Sequence, residues 1–366
     1  MKIVIFGLSI SSSWGNGHAT LWRGLCAALA RKGHTVIFFE RDVSYYAAHR
    51  DYFELPGDGK LILYSDWAEI LGSAHRHLQD ADVGMVTSYC PDGGAASELV
   101  LDSRAAIRAF YDLDTPVTLD RLRTGLQVNY IGPRGLRDFD LVLSYTGGAA
   151  LEQLKTQLGA RSVAPLYGSV DPSVHRPVPA HDRYRADLSY LGTHSSDRAA
   201  AVQNLFIEPA RRLPQCKFLL GGAQYDASFP WQPNIYFSGH VPSADHPAFY
   251  CSSRLTLNVT RGPMADMGYC PSGRLFEATA CGVAVVSDHW DGLDCFFERD
   301  SEILIASETG DVLQALERSP EELASIARAG RERTLADHTA EVRAGELEAM
   351  FQAAYRPSPV FAQELA

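Results

Sequence analysis

The chain has no Cys-x-x-Cys pair; its seven cysteines are scattered singly from Cys26 to Cys295. That spacing excludes the common structural zinc modules. An odd number of isolated thiols fits reduced cysteines in a cytosolic compartment better than a disulfide framework. No apolar run approaches the roughly 18 residues that cross a bilayer. There is no apolar leader either: Met1-Lys2 runs directly into KIVIFGL, so no signal peptide and a cytoplasmic location are expected. Basic charge is in deficit, with 33 Lys and Arg against 44 Asp and Glu, a net charge of −11 and no dense basic run. A nucleic-acid partner is therefore not expected, and the acidic excess serves solubility. The Gly-x-Gly-x-x-Gly and Gly-x-x-x-x-Gly-Lys-Ser/Thr fingerprints are missing, which weakens dinucleotide and nucleoside-triphosphate readings. The Gly-x-Ser-x-Gly elbow and His-Glu-x-x-His are missing too, which removes the usual hydrolase and zinc-protease readings.

What is present is a long alternation of strand-like and helix-like segments. The 366 residues, 46% hydrophobic, exceed one ordinary core and suit two domains. In the first half, apolar runs at 2–7, 35–40, 60–65, 83–89, 107–113, 141–145 and 162–167 read as strands with helical patterns between most of them. After a proline-rich, aperiodic stretch the pattern restarts at 188–192, 217–222, 234–239, 254–260, 283–288 and 302–306. Continuous Val/Ile/Leu/Phe strands separated by helices predict parallel sheets covered on both faces. The expected fold class is α/β, with two doubly wound Rossmann-like domains facing across a cleft. The expected boundaries are 1–168, a linker at 169–186, a second domain at 187–338 and a C-terminal helical segment at 339–366. Ligands in such sheets gather outside the carboxyl ends of the strands.

Four constellations stand at such ends. The loop GLSISSSWGNGH follows the first strand and precedes a helix. Gly15 and Gly17 permit positive φ and close approach, Trp14 and Asn16 complete the loop, and His18 is a candidate base at the helix start. The same loop also reads as a plain turn. Asp112 and Asp114 form an Asp-x-Asp in FYDLDTP. They read as polar catalytic contacts or, as a minor alternative, as ligands for a divalent ion. The densest stretch is GYCPSGRLFEATACGVAVVSDHWDGLDCFF, 268–297. There Ser272 caps a helix whose N-terminus suits phosphate, Arg274 pairs with phosphate oxygens, and Glu277, three residues on, accepts from ribose hydroxyls. Asp288 ends the next strand, and Trp290 and Gly292 follow in a loop. An ordinary helix–strand unit with a surface Arg–Glu pair would look the same. The strand ends with Gly192 and Thr193, Gly221, His240 and Val241, and Asn258 and Arg261 form the fourth set. Asn258-Val259-Thr260 also spells a glycosylation sequon, read as accidental in a cytosolic chain.

These residues carry a resemblance. PSGRLFEATACGVAVVSDHWDGLDCFF is similar to the donor-site signature of GT-B glycosyltransferases. FYDLDTPVTL, DLSYLGTHSSDR and HVPSADHPAFYCSSRLTLNVTR narrow the resemblance to the bacterial group described as spore maturation protein CgeB. The resemblance implies a sugar transferase with a nucleotide-diphosphate sugar (UDP-, GDP- or dTDP-linked) bound mainly by the second domain, no required cofactor, no active-site metal and an unnamed acceptor. It implies ribose binding by Glu277, phosphate contacts at Ser272, Arg274 and Leu275, base contacts at His240 and Val241, and a donor-domain loop at Gly192 and Thr193. It also implies a last helix that returns to the first domain, and a catalytic role for His18 like that of a histidine in some inverting members. One departure stands out: the position eight before Glu277, acidic in many retaining members, is Tyr269. A nucleotide-sugar epimerase on the same fold, and a non-catalytic saccharide-binding or coat-assembly protein, remain open alternatives.

Overall fold

The computed structural model describes residues 1–355; residues 356–366 of the expected C-terminal segment lie outside it. The chain forms two units. The first comprises Met1–Tyr167 and the helix beginning at Ala340; the second is Gly168–Thr339.

The first unit holds seven parallel strands: β1 (Lys2–Gly7), β2 (Thr35–Arg41), β3 (Lys60–Tyr64), β4 (Val83–Thr87), β5 (Ile107–Asp112), β6 (Leu141–Ser144) and β7 (Val163–Pro165). Their order is β3-β2-β1-β4-β5-β6-β7. β1 and β4 are buried along almost their whole length, as strands covered on both faces must be. The order reverses between β1 and β4, so the loops that follow these two strands diverge and leave a crevice at their carboxyl ends. The loop 8–16 leaves β1 at that point.

The second unit repeats the plan with six parallel strands: β8 (Ala186–Leu191), β9 (Phe218–Gly221), β10 (Ile235–Gly239), β11 (Ser253–Asn258), β12 (Ala284–Asp288) and β13 (Leu304–Ala306), ordered β10-β9-β8-β11-β12-β13. Its reversal falls between β8 and β11. That position brings Gly192 and Thr193, after β8, beside Val259–Arg261, after β11. Residues 169–186, read from composition as a linker, group with this unit: Val170 bridges to Thr339, and His175 and Tyr184 are buried. Two local features were not visible in the sequence pattern. A short helix, Gly262–Met267, follows β11. The helical stretch 199–212 widens to a π turn at Gln203–Ile207, just before Pro209. Proline lacks an N–H and crowds the carbonyl four residues back, and the wider turn relieves both.

The helix Ala340–Ala354 belongs to the first unit because its apolar face finishes that unit's core. Ala340, Ala344, Leu347 and Phe351 pack with Leu21, Leu25 and Leu29 of the helix Gly17–Arg31. Ion pairs at the edge, Arg31 with Glu341 and Lys32 with Glu348, add orientation more than energy. Phe351 is completely buried. Phe351→Ala is expected to destabilise the first unit by roughly 3–5 kcal/mol in urea unfolding, the usual loss for a large buried ring. A loss below about 1 kcal/mol would contradict this packing.

Candidate active site

The loop after β1 is fixed by an acid on the neighbouring strand. Glu40, near the end of β2, is 1% exposed and accepts four hydrogen bonds. They come from Ser9 Oγ at 2.9 Å, Ile10 N at 2.8 Å, Ser11 N at 3.0 Å and Ser11 Oγ at 2.6 Å. An acid at this position binds ribose in dinucleotide enzymes. Here its lone pairs are filled by the protein's own loop. Beyond that clamp, Asn16 caps the helix Gly17–Arg31: its Oδ1 accepts from His18 N at 3.0 Å, and its Nδ2 donates to Ser9 O and Ser12 O. Gly15 adopts φ +59°, and a Cβ there would lie 2.9 Å from Tyr45 Oη. Gly17 needs no such freedom: its φ is negative and an added Cβ would meet nothing within 4 Å, so the expectation for this glycine is corrected. Trp14 stacks on His49 at 4.0 Å between ring centroids.

His18 and the Asp-x-Asp come together. His18 Nε2 lies 3.2 Å from Asp114 Oδ2, with both side chains largely buried. The carboxylate thus stands at the Nε2 side of the ring, with Nδ1 on the other side. That Nδ1 is buried and has no hydrogen-bond partner. Asp112 faces inward instead. Its Oδ1 accepts from Thr118 Oγ1 and Asp114 N, both at 3.1 Å, while Oδ2 is buried without a partner. Burial pushes its carboxyl up to about 6 against the opposing pull of the Thr118 and Asp114 bonds. The two aspartates therefore do different work, and the minor reading of the pair as joint ligands for an ion does not fit their separate environments.

In the second unit, the 268–297 stretch and the strand ends converge on one guanidinium. Asn258 is fully buried; its Nδ2 donates to Ser287 Oγ at 2.9 Å, and its Oδ1 accepts from Arg274 Nη1 at 2.8 Å. Such burial also removes the glycosylation reading of this residue. Arg274 lies over the Tyr190 ring, 5.5 Å from its centroid. Gly192 makes room for this: a Cβ there would stand 2.8 Å from Tyr190 Oη and 3.2 Å from Arg274 Nη2. Ser272 occupies the N-cap position of the helix Gly273–Ala280, but its side chain makes no capping bond, which corrects the expected cap. With no side-chain cap, the N–H groups of Gly273 and Arg274 keep their capacity to bind an anion, whereas Leu275 N donates to Ser272 O at 3.0 Å. The Leu275 side chain, in the same turn, is buried in the core.

Other expected contacts have structural partners. Asp288 accepts from Thr260 N and Thr260 Oγ1, each at 2.9 Å, and so joins the ends of β11 and β12. Arg261 pairs with Asp197 at 2.9 Å. Trp290 is 2% exposed, and its ring lies 5.9 Å from that of Phe296 between centroids. Gly292, at φ +85°, lets the Tyr269 ring pass where a Cβ would collide. Gly221 and Val241 pack together beneath the β9 end, while Thr193 and His240 remain partly exposed.

Glu277 does not pair with Arg274. Its Oε2 accepts from Tyr250 Oη at 3.4 Å and stands 3.7 Å from His246 Nδ1, too far for a hydrogen bond. Burial acts to raise its carboxyl, but the field of His175, His246 and Arg274 outweighs this and holds it well below the usual range. His175 is itself pushed down by burial. Neither histidine was singled out in the sequence; His175 sits in the proline-rich stretch that read as a linker.

Residues 198–349 match the family model described as "Glycosyl transferase-like". Among solved structures, sucrose-phosphate synthase from Thermosynechococcus elongatus is 14% identical, with 98% of this chain and 100% of that one covered and a TM-score of 0.73. Anabaena HepE in complex with UDP and glucose is 14% identical, with 96% and 100% covered and a TM-score of 0.66. An alpha-glucosyltransferase in complex with UDP and a 13-mer DNA is 10% identical, with 96% and 99% covered and a TM-score of 0.68. The chain has the GT-B fold. No curated protein matches the sequence. Within this GT-B chain, the family match takes in Asn258, Arg274 and Glu277, whereas His18, Glu40, Asp112 and Asp114 lie outside it.

Two outcomes are expected. Glu40→Ala orphans four donors and should lower stability by at least about 3 kcal/mol in urea unfolding; a change under about 1 kcal/mol would contradict the clamp. For Asp112, the folded carboxyl titrates near 6, above its ordinary value of 3.8, so the native state binds the proton more tightly. Its contribution is therefore present at low pH and is lost as pH rises from about 4 to about 6. The stability difference between Asp112→Asn and the parent chain should move in favour of the variant across that window, by on the order of 3 kcal/mol. A difference independent of pH would contradict it.

Proposed function

We propose that this chain transfers a sugar from a nucleotide-diphosphate sugar to a hydroxyl-bearing acceptor. The observation that carries the reading is the Asn258-held Arg274 in the first turn of a helix without a side-chain cap, inside the segment that matches the glycosyl transferase-like family. The diphosphate rests on that turn: the N–H groups and the guanidinium take up the negative charge that develops as the bond from the sugar carbon to the phosphate oxygen breaks. Glu277, one turn on, accepts from the ribose hydroxyls, with Tyr250 behind it. His240 and Val241 hold the base, and Gly192 and Thr193 border the diphosphate. Structural neighbours bound to UDP support uridine as the first base to test.

The first unit supplies the base. Asp114 keeps the Nε2 proton of His18 in place, and Nδ1 takes the acceptor's hydroxyl proton. The acceptor oxygen then bonds to the anomeric carbon, and the nucleoside diphosphate leaves with the electron pair. Buried Nδ1 reaches an acceptor once that acceptor displaces the packing over it. No ion on the diphosphate is needed for these steps. The sugar is a hexose or a close relative in this reading, and the subgroup is the bacterial CgeB-like one. An odd number of scattered cysteines with no Cys-x-x-Cys pair supports a cytoplasmic setting. A net charge of −11 argues against a DNA acceptor, although one neighbour binds DNA.

Isothermal titration with UDP, GDP and dTDP tests the donor half. At least one should bind, and Arg274→Ala should weaken it roughly 10- to 100-fold. Asp114→Asn should leave that affinity unchanged while lowering turnover about 100-fold. Absence of binding by all three nucleotides contradicts the donor site; full turnover by Asp114→Asn contradicts the base.

A further inference from the structure

We propose that His175, His246 and Glu277 hold a divalent transition-metal ion of the zinc class. The inference goes beyond the transfer reading, which assigns no ion, and shares with it only the Glu277 carboxylate. One ligand atom from each of the three side chains lies within 4.8 Å of the others. The residues come from three separated segments of the same unit. His175 follows the Val170–Thr339 bridge, His246 opens the helix His246–Cys251, and Glu277 lies midway along Gly273–Ala280. Nothing in their local sequence requires two imidazoles to meet a carboxylate there.

The polar atoms are left wanting. His175 is 4% exposed, and its Nε2 is buried with no hydrogen-bond partner; His246 Nδ1 is in the same condition. Glu277 is 9% exposed, and the bond it accepts from Tyr250 is a long one at 3.4 Å. Buried polar atoms are almost always satisfied, and two orphaned imidazole nitrogens in one cluster with an under-supplied carboxylate form an exception that an ion resolves. Two nitrogens and one oxygen suit zinc or a neighbouring transition metal, whereas magnesium and calcium favour all-oxygen sets. Zinc bonds of about 2.0–2.1 Å place ligand atoms about 3.4 Å apart in a tetrahedron. His246 Nδ1 and Glu277 Oε2 already stand at 3.7 Å, so seating an ion needs only a small contraction. Three protein ligands leave a fourth position for water. Tyr250 Oη would stand behind the carboxylate as an outer partner.

Seated there, the ion ties the stretch 169–186 to the helix that carries Arg274. A carboxylate has two oxygens, so an ion on one and a ribose hydroxyl on the other are compatible.

The test uses the full chain, stripped with a chelator and free of nucleotide. Cobalt(II) titration followed by visible absorption, and zinc titration by calorimetry, should show one ion per chain. His175→Phe, which keeps the buried volume, and His246→Gln should each weaken binding at least 100-fold. Cys295→Ser, which removes an exposed thiol, should leave it unchanged. Failure of the parent chain to bind one ion overturns the proposal, as does binding that survives both histidine variants. UDP titration of the metal-free chain separates the two readings. Nucleotide binding without metal binding removes the ion site alone; metal binding without nucleotide binding removes the donor site alone.

Discussion

A carboxylate buried in a protein costs several kcal/mol unless donors surround it, and this constraint organises both units. Glu40, Asp112, Glu277 and Asp288 are buried wholly or largely at or near the carboxyl ends of the sheets. Glu40 and Asp288 are supplied by neighbouring backbone and hydroxyl groups, and each fixes a loop as a result. Asp112 and Glu277 are supplied only in part. The first pair builds rigid loop positions. The second pair leaves polar capacity inside the same rigid frame.

The frame itself follows from parallel strands. Each unit reverses its strand order once, and at each reversal the residues with chemical character are held by partners on adjacent strands. His18 follows β1 and Asp114 follows β5, and they meet because β1-β4-β5 are consecutive in the sheet. Arg274 meets Asn258 at the end of β11 and Gly192 at the end of β8, which are neighbours in the second sheet. Pre-set partners of this kind reduce the ordering that a ligand must impose on binding.

The strands were legible because strands buried on both faces are written as unbroken apolar runs, and β1 and β2 could be placed almost to the residue. Arg274, Glu277, His18 and Asp114 were also visible as residues of the right type in the helices and turns at the ligand-gathering ends of the sheets. Their partners were not. Glu40 ends an apolar run, where an acid reads as the first exposed residue, and only the sheet shows that β2 lies beside the loop it clamps. His175 lies among prolines and charges that resemble a linker. Trp290 stands between His289 and Asp291, a context that suggests an open loop, yet its ring is interior. Ser272 has the right identity and place for a cap, but capping depends on a side-chain rotamer that sequence does not specify.

The central claim is that the helix beginning at Gly273 receives a nucleoside diphosphate beside Arg274. Amide hydrogen exchange with and without saturating UDP, GDP or dTDP tests it most directly, because the N–H groups proposed as ligands are themselves the probes. The account predicts that a nucleotide that binds slows exchange at Gly273 and Arg274 and in the Gly192–Thr193 loop. Binding that leaves those amides unchanged while protecting a different segment would contradict it.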